Sequence, residues 1–573
     1  MRILLATLGV VAAGLLSACT GVPSESSPQT IEQVNEGAPA TDQAIQPAKD
    51  ESARDIVTDF LQANASDPGA HTSAPAFLTT AARSRWSDAT VTILRERVVS
   101  TYDASKGTVT VSGRLYGTLN REGVFQPGDA TQTSYEFRLA RVAGQYRIAQ
   151  ISPAPGLLLT SDEFSQSYNK HLLYFFDNEN RYLVADPRWT DIDVTDRSRL
   201  AGWLIDRLAT GPRTSLQNAV SSDTFPTQAD PSAMSVDIES TTRVEIPGAS
   251  QLDPDGLRRL AAQLAATLDD ETSGGGMVIT DGGRPVHVPS IVGSTFSSAD
   301  FAEFAGPQPP PPQVYYLSGS DLVGESGKPV PGPLGRGAYA LRSVAVGRPD
   351  PTGPLLVAAV ASTGRLMVGT LSGGLKPVAL AGVTTRPSFA TDRREVWVGA
   401  GTKLYRVSLT ASGAPAAVAA VAMTQPPGGS LTALRVSPDG ARLALVFSSG
   451  TAGGRLYVSA IVRGSGPVRL APLDQVNAPG SVVLDVGWVS PLRLLALGRP
   501  DGSSDYFTYD VAVDGTDWQG HLVGLSSPPD SITVTSGSIA WLSAGEFVWQ
   551  QNGEEWQPPT GGQTPGTAPV YLE

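Results

Sequence analysis

The sequence is poor in the side chains that most often ligate metals. It has one cysteine, Cys19, in 573 residues, so it can form no disulfide within itself. Its four histidines, His71, His171, His287 and His521, are widely separated along the chain. Zinc motifs need closely spaced His and Cys ligands, so none is predicted. We expect no metal site and no cofactor, and we interpret the histidines as residues of loops or strand surfaces.

Basic residues are also scarce. Lys and Arg number 42 against 55 Asp and Glu, the formal net charge is −13, and no Lys/Arg cluster is present. Affinity for nucleic acid comes from basic side chains that neutralise phosphates. Nucleic acid is therefore not expected as a partner.

The N-terminus carries a short uncharged run, Ile3 to Leu16, after Met1-Arg2. It is shorter than the ~20 residues that span a bilayer, but it suits the core of a secretion signal. The following Leu16-Ser17-Ala18-Cys19 is similar to the bacterial lipobox. We predict a signal peptide at 1–18, cleavage after Ala18, and S-diacylglycerol and N-acyl groups (palmitate) on Cys19, which would anchor the chain to the extracytoplasmic face of the cell membrane. The alternative is an ordinary signal peptide with a chance cysteine.

Residues 19–49 are rich in Pro, Ser, Thr, Glu and Gln, which predicts a flexible tether behind the lipid anchor. From Asp50 the pattern changes, because apolar residues from Ile56 to Leu61 recur at helical spacing behind the candidate caps Asp50 and Ser52. Alternating strands follow, up to Ile151. Residues 50–160 are therefore predicted to form an α+β domain, whose element order is similar to NTF2-like and cystatin-like domains.

Residues 168–290 are predicted to form a second domain, of the α/β type. A hairpin is predicted over 172–184, and a helix over 196–209 that is closed by Gly211-Pro212. Asp253-Pro254 should open another helix, with the aspartate as N-cap and the proline at the first helical position. A final hairpin is expected over 277–289.

A polyproline-like stretch, Pro307 to Pro312, interrupts the chain. We expect it to act as a stiff spacer that lets residues 313–573 fold without the rest. Beyond it, short apolar strands alternate with Gly, Pro and Asp turns at a period that fits four-stranded propeller blades. The pattern favours an all-β propeller of five to seven blades, closed by strands near Val314 and Val570. A pair of β-sandwiches is the alternative.

No catalytic motif stands out. Ser167–Lys170 matches the Ser-x-x-Lys of penicillin-recognising enzymes, but the companion motifs are missing. The two carboxylates of Asp253 and Asp255 are explained by a helix start, and Asp501–Asp505 by a strand turn. We therefore predict that the chain is not an enzyme. The runner-up is an envelope glycan-binding or hydrolytic propeller, which should place acidic or histidine side chains on its central channel.

The order of segments resembles the actinobacterial lipoprotein family LpqB over essentially the whole chain, and the second unit looks like a GerMN domain. The residues that carry this second likeness are Leu173–Asp177, Leu183-Val184, Pro187-Arg188, Ala209–Pro212, Val244 and Ala262–Leu268. The resemblance implies a non-catalytic partner of a two-component sensor histidine kinase of the MtrB type, acting in envelope and cell-division signalling. Only Cys19 carries over as a functional residue. We expect exposed Trp or Tyr side chains to anchor such a contact.

Overall fold

The computed structural model describes residues 45–66, 71–226, 231–272, 275–424, 426–450, 454–477, 480–559 and 562–573. The predicted signal peptide 1–18, Cys19 and most of the predicted tether 19–49 lie outside the described residues. Within the described residues, no helix combines the length and apolar character needed to cross a membrane.

The N-terminal domain packs a helix on a twisted sheet. Ser52 caps the first helix by accepting a hydrogen bond from the Asp55 backbone N–H, as predicted. Its apolar face, including Phe60, packs in one cluster with Phe137 and Ile148 of the sheet. The chain joins this domain from Ile45, which packs against the same cluster. The helices are α1 (Ala53–Ala65), α2 (Thr80–Arg83) and α3 (Ser161–Ser167).

The sheet of this domain runs in the order β6-β5-β3-β1-β7, and β2 and β4 pair with β3. Its pairs are antiparallel except β1 with β7, which are parallel. The strands are β1 (Val91–Leu94), β2 (Val98–Val99), β3 (Thr108–Leu119), β4 (Phe125–Pro127), β5 (Gln132–Val142), β6 (Gln145–Ser152) and β7 (Leu157–Thr160).

The middle domain combines a hairpin, two helices and a small sheet. Asp196 caps its first helix and Gly211, at φ 107°, ends it; Asp253 and Pro254 begin the second helix, as predicted. The sheet order is β10-β11-β12-β13, with β11 and β12 parallel. The elements are β8 (Asn169–Phe176), β9 (Leu183–Thr190), α4 (Arg197–Thr210), β10 (Ser235–Ile238), β11 (Thr242–Glu245), α5 (Pro254–Leu268), β12 (Met277–Asp281) and β13 (Arg284–Pro285).

The described strands of the C-terminal part form six blades of a β-propeller. The first blade contains β14 (Val314–Ser318) and β15 (Asp321–Gly324). The second contains β16 (Leu341–Gly347), β17 (Leu356–Ala361), β18 (Leu366–Thr370) and β19 (Leu375–Pro377). The third contains β20 (Ser388–Phe389), β21 (Glu395–Ala400), β22 (Lys403–Leu409) and β23 (Pro415–Val421).

The next three blades follow in chain order. The fourth contains β24 (Ser430–Val436), β25 (Arg442–Ser448), β26 (Gly454–Val462), β27 (Arg469–Leu470) and β28 (Asp474–Gln475). The fifth contains β29 (Ser481–Ser490), β30 (Arg493–Pro500), β31 (Phe507–Ala512) and β32 (Gln519–Leu522). The sixth contains β33 (Pro529–Thr533), β34 (Trp541–Ala544), β35 (Phe547–Asn552), β36 (Glu555–Gln557) and β37 (Thr564–Pro565).

The last strand, β38 (Thr567–Tyr571), closes the ring by pairing with β14. This confirms the predicted closure. The first blade therefore combines β14 and β15 from the start of the propeller sequence with β38 from its end. The inner strands β38, β16, β20, β24, β29 and β33 contact one another in a ring around a central channel. Short 3₁₀ helices occur at Ala74–Phe77, Pro231–Ala233, Ala249–Gln251, Asp269–Glu271, Ser298–Phe304 and Leu334–Arg336.

The proline stretch does not hold the propeller apart from the other domains, as a stiff spacer would. Residues 45–573 form one compact unit. Ala460, Val462 and Ala471 of the propeller belong to the same buried apolar cluster as α4 and α5. The stiffness of the proline segment limits only its own conformation, and the chain on either side still packs together through side chains far from it in sequence.

Candidate functional site at a three-domain junction

A buried carboxylate on β9 organises the meeting point of the three domains. Asp186 is fully buried, and both of its oxygens accept hydrogen bonds from arginine. Arg188 Nη2 donates to Oδ2 at 2.7 Å, and Arg213 Nε donates to Oδ1 at 3.0 Å. The Arg213 backbone N–H adds a bond of 2.9 Å to Oδ2. Burial acts to raise the pKa of Asp186, but Arg188 and Arg213 outweigh it and hold this pKa below its usual value.

β9 also connects the middle domain to the N-terminal domain. Arg188 Nη1 donates to the carbonyl of Glu122 at 3.0 Å, and the Trp189 backbone N–H donates to the carbonyl of Gly123 at 2.8 Å. Gly123 has φ 73°, and a Cβ there would lie 2.5 Å from the Trp189 carbonyl oxygen. Only glycine allows the two backbones to approach so closely.

The propeller reaches the same strand through its fifth blade. Asp514 Oδ2 accepts a hydrogen bond of 3.0 Å from Trp189 Nε1, and Lys170 Nζ lies 3.1 Å from Asp517 Oδ2. Gly515 completes the contact, because a Cβ on it would lie 2.3 Å from Pro127 Cγ of the N-terminal domain. The turn after β31 therefore contacts both other domains.

A second contact joins the tip of the β8–β9 hairpin to the third blade. Arg181 Nη1 and the Tyr182 hydroxyl each donate to Asp392 Oδ2 at 2.9 Å. Arg393 pairs with Glu179 beside them. Farther along β9, Arg442 Nη2 donates to the carbonyl of Ala185. The hairpin is thus held to the propeller at its tip and along its length.

Between these contacts lies a cavity of about 360 Å³ that borders all three domains. The N-terminal domain contributes the β4 region, including Gln126; the propeller contributes Asp474 and Asp514. The remaining walls come from the segment that ends α4, where Gly211-Pro212 and Arg213 follow one another. A second cavity of about 20 Å³, also lined by Arg213 and Asp474, lies next to it beside Arg442.

Two side chains of the large cavity keep unused hydrogen-bonding capacity. Arg213 is 8% exposed and donates through its Nε and Nη2 atoms, but its Nη1 donates to none of the described residues. Asp474 is half-buried, and desolvation raises the pKa of its carboxyl group although Ser215 and Arg213 act against the shift. A polar ligand in the cavity would satisfy both groups.

The central channel of the propeller holds a different group of charges. Arg386 Nη2 donates to Asp485 Oδ2 at 2.6 Å and to the Ile532 carbonyl at 2.6 Å, and Arg435 lies 3.7 Å from Asp485 Oδ1. Burial and the neighbouring Arg435 lower the pKa of Arg386 to about 10. The carboxylate of Glu573 accepts from the Phe389 backbone N–H and from the Ser388 hydroxyl, and burial raises its pKa.

The two ends of this channel differ. At the starts of the inner strands it opens into a cavity of about 310 Å³ lined by Arg342, Asp485 and the exposed Asp530, among others. At their other ends a cavity of only about 50 Å³ remains, and Pro309 and Pro310 line it. The proline segment therefore lies across one end of the channel.

The structure keeps the four histidines apart from the channel lining. His71 Nε2 lies 2.8 Å from Asp191 Oδ2 in a buried loop, and His171 Nδ1 lies 3.6 Å from Glu271 Oε1, where burial lowers its pKa. His287 and His521 are exposed, and His521 Nε2 lies 3.8 Å from Asp510 Oδ2. No cluster of three or more metal-ligating side chains occurs within the part of the chain that the structure describes. Cys19, the predicted lipidation site, lies outside that part.

The expectation of exposed aromatic anchors is wrong. All nine tryptophans and fifteen tyrosines lie in the described ranges, and each is buried or half-buried. The exposed large apolar side chains among the described residues are aliphatic: Val98, Val142, Val194, Val292, Val418, Leu522 and Ile539. Tryptophan and tyrosine are instead used inside the domains and between them, as Trp189 and Tyr182 illustrate.

Sequence reasoning missed Asp186, Arg213, Asp474 and Asp514 as site residues. A signal for the first was present, because Asp186 and Arg188 stand two apart in an otherwise apolar strand and so share one of its faces. Both lie within a strand that is buried along nearly its whole length. Asp474, at the start of β28, and Asp514, in the turn after β31, are distant in sequence, and no local pattern connects them to β9.

Fold and junction together define a class: a three-domain protein in which contacts of the middle domain join the N-terminal domain to a propeller whose described strands form six blades. Family models match both ends of the described chain. One described as the lipoprotein LpqB N-terminal domain matches residues 46–165, and one described as the lipoprotein LpqB beta-propeller domain matches residues 320–571.

Relatives of known name agree with these models. Lipoprotein LpqB of Mycolicibacterium smegmatis is 31% identical over 477 residues, which is 78% of this chain and 79% of that protein. Lipoprotein LpqB of Mycobacterium tuberculosis is 28% identical over 604 aligned positions, covering 99% of each chain. The chain belongs to the lipoprotein LpqB family, and it is a lipoprotein with a β-propeller domain.

Among solved structures, TolB from Acinetobacter baumannii overlaps 48% of this chain and 70% of its own, with 15% identity and a TM-score of 0.31. A likeness this weak carries no argument about function. The GerMN-like interpretation of residues 168–290 stays a prediction.

Proposed function

We propose that this chain is a lipid-anchored, non-catalytic binding protein on the extracytoplasmic face of the cell membrane. Its partner in this proposal is the extracytoplasmic part of a sensor histidine kinase of the MtrB type, and its role is to regulate envelope and cell-division signalling. Membership of the lipoprotein family and the lipobox around Cys19 support the anchoring. The kinase partner rests on the family resemblance.

The observation that carries the proposal is the way the deeply buried carboxylates are used. Asp186 is held between Arg188 and Arg213, and Asp485 between Arg386 and Arg435. A general acid or base must exchange its proton with a substrate that it touches. Carboxylates enclosed by two arginines instead hold elements together, which is what a rigid binding protein needs.

Anchoring explains why modest affinity would be sufficient. The predicted tether of about 30 residues would keep the folded unit close to the membrane, so its effective concentration beside a membrane-bound kinase would be high. Because residues 45–573 form one compact unit, contact at any of the three domains places the whole unit against the kinase.

The test uses the full-length kinase and the lipidated chain reconstituted together in lipid vesicles. We expect the lipidated chain to change the rate of phosphotransfer from kinase to response regulator. A chain reduced to the anchor and tether, without residues 50–573, should have no effect. Cys19→Ala should require a much higher concentration for the same effect, because the tether no longer concentrates it.

The matched control is His521→Ala, which changes one exposed side chain and should act like the wild type. An unchanged phosphotransfer rate with the lipidated chain, at a density where both proteins are shown to be in the same vesicles, would contradict the proposal.

The enzymatic alternative has one structural observation in its favour, the exposed Asp530 at the wide mouth of the channel. Propellers host both hydrolases and binding proteins, so fold alone does not decide. Hydrolysis of a cell-wall polymer by the purified chain, lost in Asp530→Asn, would replace the proposal by the enzymatic one. We expect no hydrolysis in either form.

A further inference from the structure

The cavity at the three-domain junction has the features of a ligand site. Its volume of about 360 Å³ falls in the range of small-molecule sites, which are commonly found between domains. Each of the three domains contributes part of its wall. A molecule bound there would touch all three at once.

The charges around the cavity exclude a strongly anionic ligand. Two arginines, Arg188 and Arg213, line it together with three acidic residues, Glu122, Asp474 and Asp514. No excess of positive charge is therefore available to hold a phosphate. Arg188 is already committed to Asp186 and to two backbone carbonyls.

The acidic residues are poorly placed for a cationic ligand. Asp514 accepts from Trp189 Nε1 and from the Thr516 hydroxyl and backbone, and Lys170 and Arg213 outweigh burial to hold its pKa below the usual value. Asp474 faces Arg213, and burial raises its pKa. Both carboxylates already have cationic neighbours.

The remaining lining can both donate and accept hydrogen bonds. Its uncharged polar side chains are the amides of Asn120, Gln126 and Gln217 and the hydroxyls of Thr210, Thr214 and Ser215. Hydroxyl groups of a ligand match such a lining, because each can also donate and accept. Arg213 Nη1, which donates to none of the described residues, offers a donor beside the acceptor Asp474. Pro127 and Pro212 add apolar surface for carbon-bound hydrogens.

We propose that this junction cavity binds a neutral, hydroxyl-rich ligand of the size of one or two sugar residues, with Arg213 donating to it and Asp474 accepting from it. The site is distinct from the channel mouth at Asp530 and does not depend on the kinase contact. Its ligand bridges the three domains.

The experiment is isothermal titration calorimetry on the full lipidated chain, in a detergent without a sugar head group. The probes are trehalose and the disaccharide of N-acetylglucosamine, with inorganic phosphate and ethanolamine as charged probes. We expect one of the two saccharides to bind, and Asp474→Asn to weaken its binding by at least ~10-fold, because a charged acceptor that lines the cavity is changed.

Two further variants separate a loss of binding from a failure to fold. Gln126→Ala and Gln217→Ala alter exposed side chains at the cavity rim, so both should fold normally and weaken binding by ~3-fold to ~10-fold. The matched control is Asp530→Asn, which removes a carboxylate charge at the wide mouth of the channel and should leave the affinity within twofold of wild type.

Three results would overturn the proposal. The first is the absence of heat with both saccharides. The second is tighter binding of phosphate or ethanolamine than of either saccharide. The third is saccharide binding that Asp530→Asn weakens while the rim variants leave it unchanged.

Discussion

The three-domain junction and the propeller channel both bury carboxylates beside arginines. They differ in how many hydrogen-bonding groups remain without a partner among the described residues. In the channel, Arg386 and Asp485 are satisfied by each other and by backbone groups of the inner strands. At the junction, Asp186 is satisfied in the same way, but Arg213 Nη1 and Asp474 face a cavity.

This difference teaches that burial of charge does not by itself mark a functional site. A buried ion pair that satisfies its own hydrogen bonds is part of the architecture, and losing one member leaves an uncompensated charge. Unused donors and acceptors beside a cavity are the stronger indication of binding. Substitutions in the two regions should therefore change the free energy of unfolding by different amounts.

The largest effect is expected when the propeller is separated from the other domains. A fragment of residues 313–573 would expose Ala460, Val462 and Ala471, and it would remove the groups that pair with Asp514 and Asp517. Since whole domains are stable by only ~5–15 kcal/mol, we expect the fragment to be partly unfolded or to aggregate. Thermal unfolding followed by circular dichroism, with residues 45–573 as the control, measures this. A fragment that melts at the temperature of the control would show that the junction adds nothing.

Within the channel, Asp485→Asn should be strongly destabilising for a single substitution. Asp485 is 4% exposed, and the substitution would remove the charged carboxylate that lies between Arg386 and Arg435. We expect a loss of roughly 3–5 kcal/mol in the free energy of unfolding by urea. Asp501→Asn, in an exposed turn of the same blade, is the control and should change this energy by less than ~0.5 kcal/mol.

At the hairpin tip, Asp392→Asn should cost less, because this contact is partly open to solvent. Asp392 accepts from Arg181 and from the Tyr182 hydroxyl and is 26% exposed in its side chain. Its φ of 54° is one that asparagine tolerates, so the substitution tests the charge and not the backbone. The expected loss is ~1 kcal/mol by the same urea measurement. A loss as large as that of Asp485→Asn would contradict the expectation that exposure to solvent weakens this contact.

Two carboxylates of the junction should respond to pH in opposite directions. Arg188 and Arg213 outweigh burial and keep the pKa of Asp186 low, so its contribution is present at neutral pH and is lost as the pH falls through its folded pKa. Burial raises the pKa of Asp474, so its ionisation lowers stability as the pH rises from its unfolded to its folded pKa.

It follows that Asp474→Asn should slightly raise the free energy of unfolding at neutral pH, while Asp186→Asn lowers it. Urea titrations of both variants, from neutral pH to below the ordinary aspartate pKa of 3.8, give the comparison, because the contribution of Asp186 is lost only below that value. If Asp474→Asn lost stability at neutral pH as Asp186→Asn does, Asp474 would belong to the architecture and not to the binding cavity.

Local structure could be predicted from the sequence where one residue decides it. Ser52, Asp253 and Gly211 begin or end helices at the predicted positions, since capping depends on near neighbours in the chain. The ring closure could also be predicted, because the sequence places strands at both ends of the repeats, near Val314 and Val570.

The relation between the domains could not be predicted in this way. The proline segment was interpreted as a spacer, but contacts such as Trp189 with Asp514 join residues hundreds of positions apart. Neither hydrophobic periodicity nor motif spacing in the sequence predicts such a contact. The same limit applies to the candidate cavity, whose walls come from three separate parts of the sequence.

The most direct test of the central claim, that the junction makes the three domains one body, is hydrogen exchange followed by mass spectrometry as a function of urea. Amides of β3, β8 and β25 report on the N-terminal, middle and propeller domains in turn. The account predicts that all three lose protection together over one urea range, and that Asp186→Asn shifts all three to lower urea. Three separate transitions, with the propeller still protected after β8 has exchanged and unaffected by Asp186→Asn, would contradict it.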